Sequence, residues 1–251
     1  MDIALIIGKK NSKGVPGKNV QLILGRPSAE YAFIAAKYSQ SEHIFVSTDS
    51  DEIANIGLPY GAIHLKRPDN LATSEALTED ALVYAYKQII EYLGEKAKKI
   101  KTISLLFCNN PAVDVNLLIE GKEILKKQDD LDSVFSVARY DMFSPARARK
   151  IEDNIIESFV DNSIFGEVSS IRSSQGAVYF CDLSIQIMKA RCFENMDDGK
   201  LPFKWQGKKS YAVETDFGFD IDTDWQYVVI EYWLKKKGFT ELDIPWGNEK
   251  N

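Results

Sequence analysis

The pattern of apolar and polar positions along the chain predicts strands that alternate with helices. Short apolar runs typical of buried strands lie at 3–7, 43–49, 62–65, 100–107 and 132–140. Segments with apolar residues at helical spacing separate them, at 27–40, 50–61, 73–99 and 114–128. Alternation of this kind is typical of an α/β fold with a mostly parallel sheet. Such sheets bind ligands beyond the carboxyl ends of their strands.

The alternation weakens between 141 and 175, where polar turns are frequent. It resumes with a strand at 176–182, the segment 183–192, the run 210–215 and a helix over 222–238. We therefore predict one domain over residues 1–251, with an inserted excursion from the sheet at about 141–175.

Composition narrows the class of protein. The chain has 251 residues, of which 45% are hydrophobic, so it is long enough to bury a substantial core. A net charge of −6 argues against a nucleic-acid partner. Three scattered cysteines without a CxxC pair argue for a reducing compartment, and no apolar run approaches the length of a membrane span. We expect a cytoplasmic protein that does not contact a membrane.

A basic loop directly follows the first predicted strand. The stretch "GKKNSKGVPGKN", residues 8–19, has four lysines, three glycines and a proline, and no acid. The charge comes from Lys9, Lys10, Lys13 and Lys18, the space for close approach from Gly8, Gly14 and Gly17, and stiffness from Pro16. Backbone N–H groups and ammonium groups together can hold a phosphate. The loop matches neither GxxxxGK[ST] nor GxGxxG, and a solvated basic loop is the alternative.

Two aspartates late in the chain form a candidate metal site. In "GFDIDTDWQ", Asp220 and Asp222 are two residues apart, so in an extended segment they project to the same side. Two such carboxylates suit Mg²⁺, which takes few carboxylates together with water and phosphate oxygens. The alternative is that Asp222 caps a helix that begins near Asp224. Asp216 is a weaker candidate, which would support the metal site without binding the ion directly.

Three motifs in order resemble one family. "NSKGVPGKN" resembles the signature R-x-x-S-K-G-x-P-x-K-N of the CMP-sialic acid synthetases, or acylneuraminate cytidylyltransferases. The segment from "HIFVSTD" to "RPDNLATSEALTEDAL" resembles their S-T-D turn and R-P-x-x-L-A motif, and "GFDIDTDWQ" their D-I-D-T motif. The resemblance implies a Rossmann-like nucleotide-diphospho-sugar transferase fold (GT-A-like) with three layers. It also implies a homodimer, formed through a small inserted subdomain that we expect at 141–175.

The resemblance implies transfer of CMP from CTP to an acidic 2-keto-3-deoxy sugar, such as sialic acid, with release of pyrophosphate and with Mg²⁺ as cofactor. It assigns catalytic roles to Lys9, Lys13, Asp220 and Asp222. Lys9 stands where the family usually has arginine, so bidentate phosphate contact is lost there. By resemblance the nucleotide is bound by Gly8, Lys9, Asn11, Ser12, Lys13, Lys18, Asn19, Arg67 and Thr78.

Other interpretations of three of these positions stay open. Arg67 is also compatible with a surface ion pair, and Thr78 is equally compatible with a helix cap or an exposed threonine. Asp49, in the S-T-D turn, suits capping of the helix that follows. His43, His64 and Cys108 have no partners at catalytic spacing, and we expect them to be structural.

The acceptor half departs from the family pattern. Where the family continues Q-P-T-S-P-L-R after the strand, this chain has "CNNPAVD", and only Pro111 survives. The candidate sugar contacts are the amides Asn109 and Asn110, the pair Arg147 and Arg149, and Gln175. The arginine pair suits a carboxylate, or equally a solvated basic face.

Two other functions compete with the cytidylyltransferase. One is a glycosyltransferase that uses the Asp-x-Asp motif for its metal. The other is a non-catalytic nucleotide- or sugar-binding homologue.

Overall fold

Strands alternate with helices over residues 30–139 in the computed structural model, which describes residues 1–11 and 14–246. The strands in chain order are β1 (Asp2–Ile7), β2 (Leu22–Ile23), β3 (Arg26–Pro27), β4 (His43–Thr48), β5 (Ile63–Lys66), β6 (Thr102–Phe107), β7 (Ser133–Arg139), β8 (Arg149–Glu152), β9 (Ile155–Ser158), β10 (Tyr179–Met188) and β11 (Ser210–Thr215). The α-helices are α1 (Glu30–Tyr38), α2 (Asp51–Gly57), α3 (Thr78–Leu93), α4 (Val115–Lys127), α5 (Arg191–Glu194) and α6 (Asp224–Lys236).

A seven-stranded sheet in the order β11-β7-β10-β6-β1-β4-β5 forms the centre of the molecule. Neighbouring strands are parallel except for β10, which runs antiparallel to both β6 and β7. The predicted α/β fold with a mostly parallel sheet is therefore confirmed. The carboxyl ends of β1, β4 and β6 meet at one edge, where the basic loop and the S-T-D turn also lie.

Helices cover both faces of the sheet and make three layers. The central strands are apolar at nearly every position because both of their faces are buried. One core cluster joins one face of the sheet to α1, α2 and α4, and a second joins the other face to α3 and α5. A third cluster packs α6 against Tyr31 of α1 and includes Ile221, which is 0% exposed.

Two elements differ from the sequence prediction. The helix predicted over 73–99 begins at Thr78, and a 3-10 helix continues it from Gly94 to Lys99, so residues 73–77 are free to line the sheet edge. The strand predicted over 176–182 runs on to Met188, with a shift of register between Cys181 and Gln186. Leu183 has a φ of +59° at this shift, which interrupts the alternation that a sequence pattern can detect.

The excursion at 141–175 holds the hairpin of β8 and β9 and several 3-10 turns. Its large apolar side chains are exposed, and they are Met142, Phe143, Ile151, Ile155, Ile156, Phe159, Ile164 and Ile171. The division into one domain with an inserted subdomain stays a prediction. None of the helices in the described part of the chain is long and apolar enough to cross a membrane. The cytoplasmic location also stays a prediction.

Candidate active site

A cleft of about 180 Å³ opens at the carboxyl ends of β1, β4 and β6. Several residues that the sequence singled out line it together, namely Gly8, Lys9, Lys18, Asn19, Arg67, Thr78, Asn109 and Asp220. Its other lining residues come from the ends of β1 and β6, from α3 and from the segment before α3, and are Ile7, Phe107, Leu71, Thr73, Ala76, Leu77 and Ala81. The basic loop and the late aspartate segment therefore share one cavity.

Hydrogen bonds hold the basic loop against the sheet edge. The Asn19 side chain, 6% exposed, donates from Nδ2 to the Lys9 carbonyl at 2.9 Å. The Lys10 N–H donates to Asp49 Oδ1 at 2.9 Å, so Asp49 anchors the loop, whereas Ser50 caps α2. The Lys9 ammonium donates to the Thr73 carbonyl at 3.1 Å across the cleft. These contacts give the loop a defined position beside the cavity.

The three glycines of the loop serve different needs. A Cβ at Gly8 would lie 2.6 Å from the Cys108 sulfur, so this glycine allows β1 to pack against the end of β6. A Cβ at Gly14 would lie 2.7 Å from the carbonyl oxygen of Asp222, so the loop contacts the aspartate segment directly. Gly17 has a φ of +69°, the left-handed conformation that glycine adopts most readily.

The Asp-Ile-Asp segment is fixed at its middle residue. Ile221 is 0% exposed, and its N–H donates to the Asn109 carbonyl at 2.8 Å, which ties the segment to the end of β6. Asp222 forms an ion pair with Lys18, with 2.6 Å between Nζ and Oδ1. Thr223, together with Gln226, caps α6, so the alternative that Asp222 caps this helix is wrong.

Asp220 is half-buried and lines the cleft. Its Oδ1 atom is shielded from solvent and has no hydrogen-bond partner among the described residues. Burial, and then the Asp222 charge, raise the pKa of Asp220 to about 6, and Lys18, Asn109 and Asn110 offset part of that rise. A carboxylate destabilised in this way is stabilised by a nearby cation. The two aspartates therefore fit Mg²⁺, although no cluster of three or more acidic, histidine or cysteine side chains is found among the described residues.

We expect Asp220→Asn to stabilise the free protein near pH 8 by on the order of 1–3 kcal/mol. Because its pKa is higher in the folded chain, wild type loses stability as the pH rises from the ordinary value of 3.8 to about 6. Asparagine removes this cost, so the gain in the free energy of unfolding should shrink towards pH 4. Urea unfolding in EDTA at both pH values measures the difference. An equal gain at both values would contradict the raised pKa.

Arg67 is buried, at 5% exposure, although it lines the cleft. Its Nη2 donates to the Ser47 carbonyl at 2.7 Å, and its Nε donates to the Ser47 hydroxyl at 3.4 Å. Burial lowers the pKa of Arg67, and the nearby Asp49 charge opposes that effect. The interpretation as a surface ion pair is therefore wrong.

Thr78 is the first residue of α3 and follows the N-cap Leu77, which supplies no capping side chain. Thr78 is therefore not the cap of this helix. The start of α3 faces the cleft, and the positive end of a helix favours anions.

The predicted acceptor residues are divided between two places. Asn109 lines the cleft, whereas Asn110 is 1% exposed and turns inward, with Nδ2 donating to the Asp182 carbonyl at 3.0 Å. Arg147 donates from Nε to Gln175 Oε1 at 2.9 Å, and Arg149 donates to the carbonyls of Ala146 and Ala148. These three side chains line a separate cavity of about 480 Å³ on the excursion.

Other candidates among the described residues do not line the cleft. Asn11 is exposed and does not line the cleft, and Ser12 and Lys13 lie outside the described residues. Asp216 accepts from Lys236 and from Trp233 on α6. His64 bonds to the Thr48 carbonyl, and burial raises the pKa of Cys108 to about 12, in keeping with structural roles for both.

Sequence reasoning missed the segment 71–77 as a wall of the cleft. The pattern there is compatible with a helix, whereas the structure places Leu71, Thr73, Ala76 and Leu77 in the lining of the cleft and the Thr73 carbonyl against Lys9. It also did not single out Asp182, a buried aspartate outside the cleft that accepts hydrogen bonds from Ser136 and Thr215, on strands distant in sequence.

In fold and in sequence, the chain is similar to cytidylyltransferases. Residues 3–97 match the cytidylyltransferase family model, a span that contains the basic loop, Arg67 and α3. In fold, the chain is similar to a CMP:2-keto-3-deoxy-manno-octonic acid synthetase complexed with CTP, at a TM-score of 0.63 and 11% identity, covering 94% of this chain and 99% of the other.

The curated relatives of this chain include N-acylneuraminate cytidylyltransferases. The chain is 27% identical over 248 residues to zebrafish (Danio rerio) N-acylneuraminate cytidylyltransferase A, covering 96% of this chain and 53% of the relative. It is 29% identical over 160 residues to the Escherichia coli N-acylneuraminate cytidylyltransferase, covering 63% of this chain and 36% of that protein. It is 29% identical over 200 residues to the CMP-N,N'-diacetyllegionaminic acid synthase of Legionella pneumophila, covering 76% of this chain and 82% of that protein. The resemblance to the CMP-sialic acid synthetases is thereby confirmed, and the chain spans about half the length of the zebrafish relative.

Proposed function

We propose that this protein is a Mg²⁺-dependent cytidylyltransferase that transfers CMP from CTP to an acidic 2-keto-3-deoxy sugar and releases pyrophosphate. The observation that carries the proposal is the ion pair between Lys18 and Asp222 at the mouth of the cleft, with 2.6 Å between Nζ and Oδ1. It brings a cationic loop and two carboxylates together, as a triphosphate with its divalent cation requires. The acceptor class follows the relatives, which are named for acylneuraminate and N,N'-diacetyllegionaminic acid.

The chain's own groups supply positioning and charge. Lys9 and Lys18 line the cleft and are placed to bind phosphate oxygens, and the uncapped start of α3 adds backbone N–H groups. Asp220 and Asp222 would hold the Mg²⁺. When bound, the ion would screen the α-phosphate and stabilise the charge on the departing pyrophosphate.

The reaction is an in-line displacement at phosphorus. The anomeric hydroxyl oxygen of the sugar forms a bond to the α-phosphorus, the hydroxyl loses its proton, and the bond from the α-phosphorus to the β-bridging oxygen breaks. Catalysis then depends mainly on orientation and on stabilising charge. Asn109, on the floor of the cleft, is the described acceptor candidate placed to contact the sugar.

Pyrophosphate release from CTP, measured with a panel of nine-carbon and eight-carbon keto-acid sugars, tests the proposal. Mg²⁺-dependent release with one of them, and none with UTP, is the expected result. Transfer of sugar from a nucleotide sugar would instead establish the glycosyltransferase. Tight CTP binding with no turnover on any acceptor would establish the non-catalytic homologue.

The homodimer is part of the same proposal. The apolar side chains of the excursion are exposed, and on the hairpin Ile151 and Ile156 form a cross-strand pair, 73% and 69% exposed. Contiguous exposed apolar surface of this kind favours a protein–protein interface. A second copy of this chain is the proposed partner.

We expect wild type to be a dimer and the double variant Ile151→Glu/Ile156→Glu to be a monomer at micromolar concentration. Two charges in an apolar interface are costly to desolvate, and these two would also face each other across the strands. Light scattering after size exclusion measures the mass. Lys150→Ala/Glu157→Ala changes the neighbouring pair on the other face of the hairpin and should stay dimeric. A monomeric wild type would contradict the proposal.

A further inference from the structure

Asp182 is a buried carboxylate that the proposed reaction does not use directly. It lies in β10 at the shift of register and is 4% exposed. Hydroxyl groups from three strands donate to it, namely Ser136 of β7, Ser184 of β10 and Thr215 of β11. The Ser184 N–H also donates to it, at 2.9 Å. None of the ion pairs between described residues includes Asp182, so its charge is held by hydrogen bonds.

Two contacts connect this residue to the aspartate of the cleft. Asn110 donates from Nδ2 to the Asp182 carbonyl at 3.0 Å, and the carbonyl of the preceding residue, Asn109, accepts the N–H of Ile221, which directly follows Asp220. Gly218 lies directly against the Asp182 side chain, because a Cβ at Gly218 would lie 2.8 Å from Asp182 Cγ. Gly218 precedes Asp220 by only two residues, so Asp182 supports Asp220 from two directions.

We propose that Asp182 is a positioning residue, which sets the place of the Asp220 carboxylate in the cleft and thereby its affinity for a divalent cation. The Asp220 carboxylate is partly buried and has an oxygen without a hydrogen-bond partner among the described residues, so its position depends on contacts that fix the neighbouring backbone. Asp182 provides this by joining β7, β10 and β11 directly beneath Gly218. The inference rests on the proposed function, since it concerns the same aspartate pair.

A purely structural role makes a different prediction, and Asp132 supplies the comparison. Asp132 precedes β7 at the end of the sheet opposite the cleft. It accepts the N–H groups of Lys208 and Lys209 and pairs with Arg191. Asp132→Ala therefore removes another carboxylate that accepts several hydrogen bonds, but one at the end of the sheet far from Asp220.

The experiment measures Mn²⁺ binding to the free protein by electron paramagnetic resonance, together with urea unfolding and turnover at saturating Mg²⁺. Asp182→Ala and Gly218→Ala should each weaken Mn²⁺ binding about 10-fold or more and lower kcat. Their KM for CTP should stay within about twofold, because the basic loop is untouched. Asp132→Ala should lower stability only.

The double variant Asp182→Ala/Gly218→Ala tests the contact itself. It removes two of the three close atoms, Cγ and Oδ2, so it should bind Mn²⁺ better than the sum of the two single losses predicts. If Asp182→Ala fails to fold, Asp182→Asn and Gly218→Ala decide the question. Wild-type Mn²⁺ binding in folded Asp182 and Gly218 variants would overturn the inference. A wild type that neither binds Mn²⁺ nor turns over CTP would instead overturn the proposed function.

Discussion

Replacing Asp222 with asparagine is expected to lower the rate of pyrophosphate release at least about 100-fold. Asp222 is proposed to bind the metal directly, and loss of such a ligand should cost at least as much as loss of a residue that only orients one. Asparagine keeps the shape of the side chain but removes the negative charge that, with Asp220, would hold the divalent cation. The loss should appear in kcat at every Mg²⁺ concentration, and Mn²⁺ binding to the free protein should weaken in parallel.

The fold of the Asp222→Asn variant should be unchanged. The Asp222 side chain is 66% exposed, and an exposed ion pair with Lys18 contributes about 1 kcal/mol or less. The segment is held by the buried Ile221 and by its bond to the Asn109 carbonyl, neither of which the substitution alters. Urea unfolding should therefore give a free energy within about 1 kcal/mol of wild type.

Asp224→Asn is the matched control for this prediction. It makes the same chemical change two residues further on, at an exposed position in the first turn of α6. Its turnover should equal that of wild type. Full Mg²⁺-dependent activity in Asp222→Asn, with Asp224→Asn also active, would remove the metal assignment from this pair.

Local chemistry made much of the cleft predictable. The basic loop is recognisable in the sequence because its lysines and glycines are concentrated directly after an apolar strand. The loops that follow parallel strands meet at one edge of the sheet, so the sequence also predicts where this loop lies. Asp220 and Asp222 are recognisable because their spacing of two places both carboxylates on one side of an extended segment. The spacing does not predict which residues lie next to this pair. The structure shows that Gly14 and Lys18 contact Asp222.

Long-range packing decides the rest, and a single sequence does not contain it. Asn110 follows Asn109 and has the same side chain, yet it faces the Asp182 carbonyl and not the cleft. In the sequence, Asp182 is an ordinary aspartate at the end of a predicted strand. Only the fold shows that Ser136 of β7 and Thr215 of β11 donate hydrogen bonds to it. Arg147 and Arg149 resemble an anion site, but the direction of the excursion places them in a cavity of their own.

Lys18→Met is expected to weaken CTP binding about 10- to 100-fold. A hydrogen bond to a charged group contributes about 1.5–3 kcal/mol, and each 1.4 kcal/mol is a factor of ten in affinity. The Lys18 side chain is 12% exposed and lines the cleft, so a bound phosphate would find its ammonium already desolvated and oriented by Asp222. Calorimetric titration with CTP in EDTA isolates this contribution from that of the metal.

Lys10→Met is the matched control, since it removes an equal charge from the same loop. Lys10 is exposed and does not line the cleft, and its contact with Asp49 uses the backbone N–H, which methionine retains. Its CTP affinity should stay within about twofold of wild type, as for a screened surface charge. Equal losses in both variants would mean that the loop acts only through its total charge.

A second effect of Lys18→Met has a definite sign. The Lys18 charge lowers the pKa of Asp220, which is about 6 in the intact cleft. Removing it should raise that pKa further, so the carboxylate should need a higher pH to lose its proton and bind a cation. The pH midpoint for Mn²⁺ binding should therefore move upward in Lys18→Met and stay in place in Lys10→Met. A downward shift would show that Lys18 and Asp220 do not share one electrostatic environment, and the proposed triphosphate site would lose its basis.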